Sequence, residues 1–464
     1  MAPPFMTRPN EALATHYTRY GHNSSFLPLE DGRILQICLG GAFCHSDDGG
    51  LTWSEPGGEN IPDANGALFQ CQFRDTNGNP VGGAECSLVR LSEKNAIGLA
   101  ARVPDVLEKQ TYATLPLKGR LVMLFWRSDD NGRTWQPPVR MSAPGCSTGG
   151  YQDTFLRTSS GRIVLSVFHG VGVQTSVWGD AHAEPLAGKL LNNRQWVTGA
   201  GHYFDPGFTT VYVLYSDDDG RTWQRNHDGD LAILLDWNAM FSICNECSIT
   251  EVKPGRLLIM MRNHLGRLFQ AWSNDNGETW TRPQPTVLAS PTCPVQIRTL
   301  PNGHLLVVWN QETEDEIRRG LARTRVSTAI SRDGGRVWEF FQNLVSYNDV
   351  TRVEPGPIRV VRPEETYMPA GQPAMVRDPA YIQAVTANHR ASYPSCLVLK
   401  DRVIVTHTYL EYEEHETEAR IKIPGKKTGG PSQVQRVLPL TWFYGGKQPA
   451  DNPFLREAYE PAKP

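Results

Sequence analysis

The sequence predicts an all-β fold, a six-bladed β-propeller with four-stranded antiparallel blades. Three observations predict it: an eight-residue pattern that occurs five times, six hairpin-like segments spread along the chain, and 42 glycines and 34 prolines among 464 residues. Self-similarity at intervals of tens of residues marks a repeat architecture. Many short strands separated by turn residues favour sheets arranged radially or closed into barrels.

The recurring pattern is Ser-x-Asp-x-Gly-x-Thr/Val-Trp. It occurs as SDDGGLTW (46–53), SDDNGRTW (128–135), SDDDGRTW (216–223), SNDNGETW (273–280) and SRDGGRVW (331–338). Each copy follows a strand-like run, such as VYVLY at 211–215 or STAI at 327–330. The carboxylate in the third position (Asp48, Asp130, Asp218, Asp275, Asp333) can accept hydrogen bonds from turn amides, and the glycine tolerates positive φ. The tryptophan then returns apolar bulk to the core. The second position varies among Asp, Asn and Arg, which a shared calcium site would not accommodate. The acid-rich SDDDGRTW is therefore expected to be a turn, with Asp218 as its former, and no metal is expected.

The hairpin segments are HNSSFLPLEDGRIL (22–35), ECSLVRLSEKNAIGL (85–99), YQDTFLRTSSGRIVL (151–165), NECSITEVKPGRLLI (245–259), CPVQIRTLPNGHLLVV (293–308) and SYPSCLVLKDRVIV (392–405). The first five each precede one of the turns. Hairpin plus hairpin, six times over, gives about twenty-four strands. The expected organisation is one propeller domain over 1–464, with blades starting near 22, 85, 151, 245, 293 and 392.

Connectivity then identifies the working face. Strands A to D run outward from the axis in each blade, so the turns between C and D lie on the face opposite the A-strand starts and B-strand ends. The long segments 169–207 and 103–119 fall between B and C, on the face away from the turns, and 339–391 links the last two blades. Long loops gathered on one side of a rigid scaffold are where binding is usually built. Candidates from A-starts are His22, Glu85, Tyr151, Asp153, Glu246 and Tyr393. Those from B-ends are Arg102, His169, Arg262 and Asn310, and the C-start of blade 5 adds Arg323 and Arg325.

The SxDxGxTW elements resemble the Asp boxes, or BNR repeats, of the sialidase (neuraminidase) superfamily, whose fold is a six-bladed propeller. Because such boxes also occur in other propeller enzymes and in non-catalytic receptors, they say little about activity. The best local match is 245–280, where the resemblance implies that Glu246 partners the catalytic tyrosine and Arg262 binds the substrate carboxylate. SYPS (392–395) resembles the segment of the nucleophile, which implies Tyr393. Arg323 resembles a further carboxylate-binding arginine, with Arg325 the runner-up. The chemistry is coherent, because a carboxylate on the anomeric carbon repels a charged nucleophile and a neutral tyrosine avoids that repulsion. The chain departs from the family at its first A-strand, where HNS replaces Arg-Ile-Pro and puts His22 at the arginine position. Blade 1 also lacks the loop that carries the family's Asp acid. Arg102 is the candidate for the missing charge, and Asp153 or Glu85 for the acid.

The resulting expectation is a sialidase-like glycosidase acting on a carboxylated sugar. A propeller polysaccharide lyase is one alternative, with His22 or His169 and Tyr151 or Tyr393 moving protons beside a uronate. A glycan-binding propeller without catalysis is the other. With 46 basic and 49 acidic residues, no nucleic-acid partner is expected. No apolar run approaches the length of a membrane span, and no cofactor is expected. The N-terminus has no signal-like apolar segment, so the cytoplasm is expected, or the exterior if a signal has been trimmed. The nine cysteines are an odd count in a large chain, which argues against a disulfide framework.

Overall fold

The computed structural model describes residues 11–18, 25–37, 43–55, 73–74, 80–81, 86–104, 121–142, 153–171, 190–192, 195–197, 208–236, 240–242, 244–263, 265–313, 315–316, 323–358, 389–411 and 433–446. They form a six-bladed propeller of antiparallel sheets. Blade 4 shows the plan: Asn245–Lys253, Arg256–Arg262, Arg267–Ser273 and Gln284–Ala289 succeed one another from the axis outward. Blade 5 repeats it with Val295–Thr299, Leu305–Asn310, Val326–Ser331 and Glu339–Val345.

Blade 6 is assembled from both ends of the chain. His389–Val398, Arg402–Glu411 and Gln433–Pro439 supply its inner strands, and Ala14–Thr18 pairs with Gln433–Pro439 as the outermost. No turn or strand pattern marks 14–18 in the sequence, and this pairing closes the ring. In blade 1 the described strands are Phe26–Pro28, Ile34–Ile37 and Phe43–Ser46.

Blades pack face to face, so a central strand is buried on both sides and reads as a continuous apolar run. In RLLIMMR (256–262), Leu257, Ile259 and Met261 pack with blade 3 residues such as Val213 and Tyr215. Leu258 and Met260 pack with Val295, Val307 and Trp309 of blade 5. This is the period-two alternation of a strand, with both faces apolar. Serines near the axis stitch neighbours together. Ser25 Oγ accepts from Leu88 N at 2.9 Å, Ser87 Oγ from Thr154 N at 3.1 Å, and Ser248 Oγ from Ile297 N at 3.1 Å.

The five boxes share one hydrogen-bond set. In each, the serine hydroxyl donates to the aspartate and accepts from the glycine N–H at 2.8 Å. The aspartate also accepts the amide of the Thr or Val residue. Four boxes add a threonine hydroxyl bond, which Val337 cannot supply. SDDDGRTW divides its acids among three tasks. Asp218 builds the turn. Asp217 takes a two-pronged contact from Arg162, at 2.7 Å to each oxygen. Asp219, at φ 58°, accepts from Ser92 N of blade 2 and from Arg157 of blade 3 at 2.8 Å. Gly220 abuts the Phe125 ring of blade 2, where a Cβ would collide.

Candidate functional site

Three of the sequence-based candidates share an unusual backbone. Asp153 (φ 51°), Glu246 (φ 43°) and Tyr393 (φ 56°) are left-handed non-glycine residues on the axis side of their blades. The register also shifts between Asn245 and Ser248, and between Ser392 and Ser395. Left-handed φ disfavours side chains with a Cβ, and for a bulky tyrosine it is a true outlier. Bulges of this kind re-aim a side chain that would otherwise follow the pleat.

Glu246 and Arg262 meet across blade 4. Asn245 lies opposite Arg262 in the strand register, and Arg262 Nη1 donates to Glu246 Oε2 with both side chains sealed from solvent at 0% exposure. Glu246 Oε1 accepts no hydrogen bond among the described residues. A buried pair of this kind is costly to break by removing one partner.

Tyr393 lies under a cation. The Arg323 guanidinium sits 5.0 Å from the centre of its ring. The Arg323 backbone is fixed from blade 6, since its carbonyl accepts from Ala391 N at 2.7 Å, and the next carbonyl, of Thr324, accepts from His389 Nε2 at 2.9 Å. Asn310 Nδ2 closes the same seam, donating to the carbonyls of Arg325 and Ala391 at 2.9 and 2.8 Å.

Arg325 serves a different purpose. It is fully buried and donates to both Glu316 oxygens (3.1 and 2.7 Å), Gln311 O (2.7 Å), Asn348 Oδ1 (2.9 Å) and Ser346 Oγ (3.2 Å). It holds the loop after the second strand of blade 5 to the segment after the fourth. Glu312, in that loop, accepts the amides of Thr324 and Arg325 at 3.0 Å each. Burial pushes its pKa up to about 8, against the pull of Arg325 and the two amides.

Residues of three blades converge on Cys293. Burial raises its thiol pKa, the guanidinium groups of Arg323 and Arg262 act to lower it, Glu312 acts to raise it, and the nearby Ser392 acts to lower it. Asp153 belongs to a separate axial cluster. It accepts from Ser25 Oγ at 2.9 Å and from Arg298 Nη2 at 3.2 Å, and Arg298 also donates to Ser248 Oγ at 3.2 Å. Burial raises the Asp153 pKa and Arg298 opposes the rise.

His22, Glu85 and Tyr151 lie outside the described residues. Arg102 and His169 stand in second strands, opposite Met123 and Thr210, and their side chains lie outside the described part. Glu312, Glu316 and Arg298 were not singled out in the sequence; a carboxylate two residues past a B-strand end was the available signal for Glu312. Cys244 and Cys247 flank Asn245 and Glu246 as a Cys-x-x-Cys pair, and Cys44 is disulfide-bonded. Among the described residues no cluster of His, Cys, Asp or Glu is fit to hold a metal.

Comparison with known proteins agrees with this architecture. A protein of unknown function from Dyadobacter fermentans superposes with a TM-score of 0.50 at 16% identity, over 92% of this chain and 98% of its own. A Hadza microbial sialidase superposes with a TM-score of 0.50 at 15% identity, over 92% of this chain and 67% of its own. At such identities the likeness is one of fold. A search of curated protein sequences gives no match. The family model of the BNR repeat-like domain matches residues 108–405, more than half of the 464. With its box turns and propeller, the chain belongs to the BNR repeat-like domain family.

Proposed function

We propose that the chain is a sialidase-like glycoside hydrolase acting on a carboxylated sugar. Tyr393 is its nucleophile, Glu246 accepts the tyrosine proton, and Arg262 and Arg323 bind the carboxylate. What carries this proposal is the Arg323 guanidinium held 5.0 Å over the Tyr393 ring, on an axis that also holds the buried Glu246–Arg262 pair.

A sugar with a carboxylate on its anomeric carbon is drawn to paired guanidinium groups, whose planar forks suit it. The same carboxylate repels an anionic nucleophile, so a phenol deprotonated only during attack is favoured. Glu246 neutralises Arg262 in the empty site. An arriving carboxylate offers Arg262 a second anion, loosens Glu246, and leaves it to take the Tyr393 proton. The bond from the Tyr393 oxygen to the anomeric carbon forms as the glycosidic bond breaks, and water then releases the sugar. Arg323 favours the negative charge that develops on the phenol oxygen. For the leaving group's proton, Asp153 is engaged by Ser25 and Arg298, and Glu85 is the remaining sequence-based candidate.

The test is a fluorogenic sialoside assay on the wild type and Tyr393→Phe. Turnover by the wild type with a loss of about 10³-fold or more in the variant is expected. Equal turnover by both would remove Tyr393 as nucleophile. No turnover of sialosides, together with an ultraviolet-absorbing unsaturated product from a uronate glycan, would replace hydrolysis by elimination.

A further inference from the structure

Arg323 lies beyond the end of a sheet. The ladder between the second and third strands of blade 5 ends where Asn310 faces Val326, so residues 323–325 stand outside it. Their backbone is held all the same. The carbonyls of Arg323 and Thr324 accept from Ala391 N at 2.7 Å and from His389 Nε2 at 2.9 Å, both in the inner strand of blade 6. The amides of Thr324 and Arg325 both donate to one atom, Glu312 Oε1, at 3.0 Å each. Two consecutive planar peptides are thus fixed at both polar ends, and Glu312 alone takes the two N–H ends. Ala391 stands two residues before Tyr393 on the same strand. The peptide that follows Arg323 therefore ties Glu312 to the strand of Tyr393, and the Arg323 guanidinium lies 5.0 Å from the centre of that ring.

We propose that Glu312 is a positioning residue, whose Oε1 clamps the backbone after Arg323 and so keeps that guanidinium over the Tyr393 ring. The effect on turnover rests on the glycosidase proposal; the clamp itself does not.

The clamp needs an acceptor and not a charge. Glu312 is fully buried, and burial raises its pKa to about 8, against the pull of Arg325 and the two amides. At neutral pH the carboxyl is therefore protonated. Oε1 then accepts as a carbonyl oxygen, and the proton rests on Oε2, which meets no partner among the described residues. The Arg325 cation is matched by Glu316 at 2.7 Å, so it requires no second carboxylate. An amide side chain of the same length keeps the acceptor. An apolar one removes it and leaves two buried N–H groups without a partner.

The test uses the full chain with Glu312→Gln, Glu312→Met and Arg323→Ala. Hydrogen exchange at the Thr324 and Arg325 amides is expected to quicken about 10²-fold or more in Glu312→Met. In Glu312→Gln it is expected to stay within about 3-fold of wild type, and the box turns are expected to exchange alike in all. On the fluorogenic sialoside, Glu312→Met is expected to lose about 10²-fold in kcat/KM, the effect of displacing a positioned group by an ångström. Glu312→Gln is expected to restore most of that loss at pH 7. Added to Arg323→Ala, Glu312→Met is expected to lower kcat/KM no further, because one residue acts through the other. If Glu312→Met does not fold, Glu312→Asp takes its place in both measurements, since it draws the acceptor back by one methylene. Wild-type exchange rates in Glu312→Met would overturn the clamp, whether or not any sialoside is turned over. Losses that multiply in the double variant, or a Glu312→Gln protein as impaired as Glu312→Met, would overturn the positioning of Arg323 by this acceptor. A wild type that turns over no sialoside, with exchange responding as expected, would overturn the glycosidase and uphold the clamp.

Discussion

At the scale of single residues, the chain separates groups that look alike in sequence. Arg323 and Arg325 stand two apart, yet one lies over Tyr393 and the other has its guanidinium bound by Glu316, Gln311, Ser346 and Asn348. The sequence left both as candidates because their separation depends on Glu316 and Asn348, which reach Arg325 from separate loops. Glu312 is a residue whose charge depends on pH close to neutrality. Burial raises its pKa from 4.5 to about 8, with Arg325 opposing. An unfolded chain releases this proton near pH 4.5 and the folded one keeps it to about pH 8, so stability falls as pH rises across that window and levels off above it. Glu312→Gln can still accept the two amides and has nothing to ionise. Relative to wild type, the variant is expected to gain stability between pH 5 and pH 8, by up to about 4 kcal/mol. Thermal unfolding of both proteins across that range measures it, and a difference that does not change with pH would show that Glu312 ionises normally.

At the scale of elements, the box turns were legible because every part of their geometry is local. Asp218, Ser216, Gly220 and Thr222 find one another within seven residues, so a pattern in the chain is a pattern in space. The inner-strand bulges were not legible, because left-handed φ at Asp153, Glu246 and Tyr393 follows from packing around the axis and leaves no glycine in the sequence to announce it. The outer strand of blade 6 was missed for a similar reason, since 14–18 gains its partner from residues more than four hundred positions away. The boxes contain their own control. Asp333 lacks the hydroxyl bond that the other four aspartates receive, because Val337 stands where they have threonine. Val337 is 55% exposed, so replacing its methyl by a hydroxyl removes little buried apolar surface. Val337→Thr is expected to stabilise the protein by about 0.5–1 kcal/mol, read as a rise in denaturant midpoint at constant slope. A neutral or lower midpoint would mean that the hydroxyl bond adds nothing to these turns.

For the whole molecule, the same turns set the response to acid. The propeller is a ring of blades joined by face-to-face packing, and a ring is weakened wherever one blade loosens from the next. Burial acts to raise the box aspartates, yet their hydrogen bonds prevail and lower all five, Asp48 from 3.8 to about 2. Asp219, which joins blades 2 and 3, is also lowered: burial acts to raise it, and the contacts with Ser92 and Arg157 together outweigh burial. A carboxylate whose folded pKa is depressed contributes stability that is full above its unfolded pKa and disappears as pH falls through the folded one. The loss should therefore begin near pH 4 and continue to about pH 2, on the face opposite Tyr393 and Glu246. The box aspartates are exposed or half-buried, so water screens the share of each, and it is their number that makes the fall measurable. Asp219 is the better buried of the acids in SDDDGRTW at 8% exposure, and Asp219→Asn keeps an acceptor for Ser92 while removing the charge that holds Arg157. That variant is expected to unfold at lower temperature than wild type at pH 7 and to approach it toward pH 2, as the wild-type carboxylate takes up its proton. A deficit of the same size at both pH values would place the loss in the shape of the turn and not in its charge.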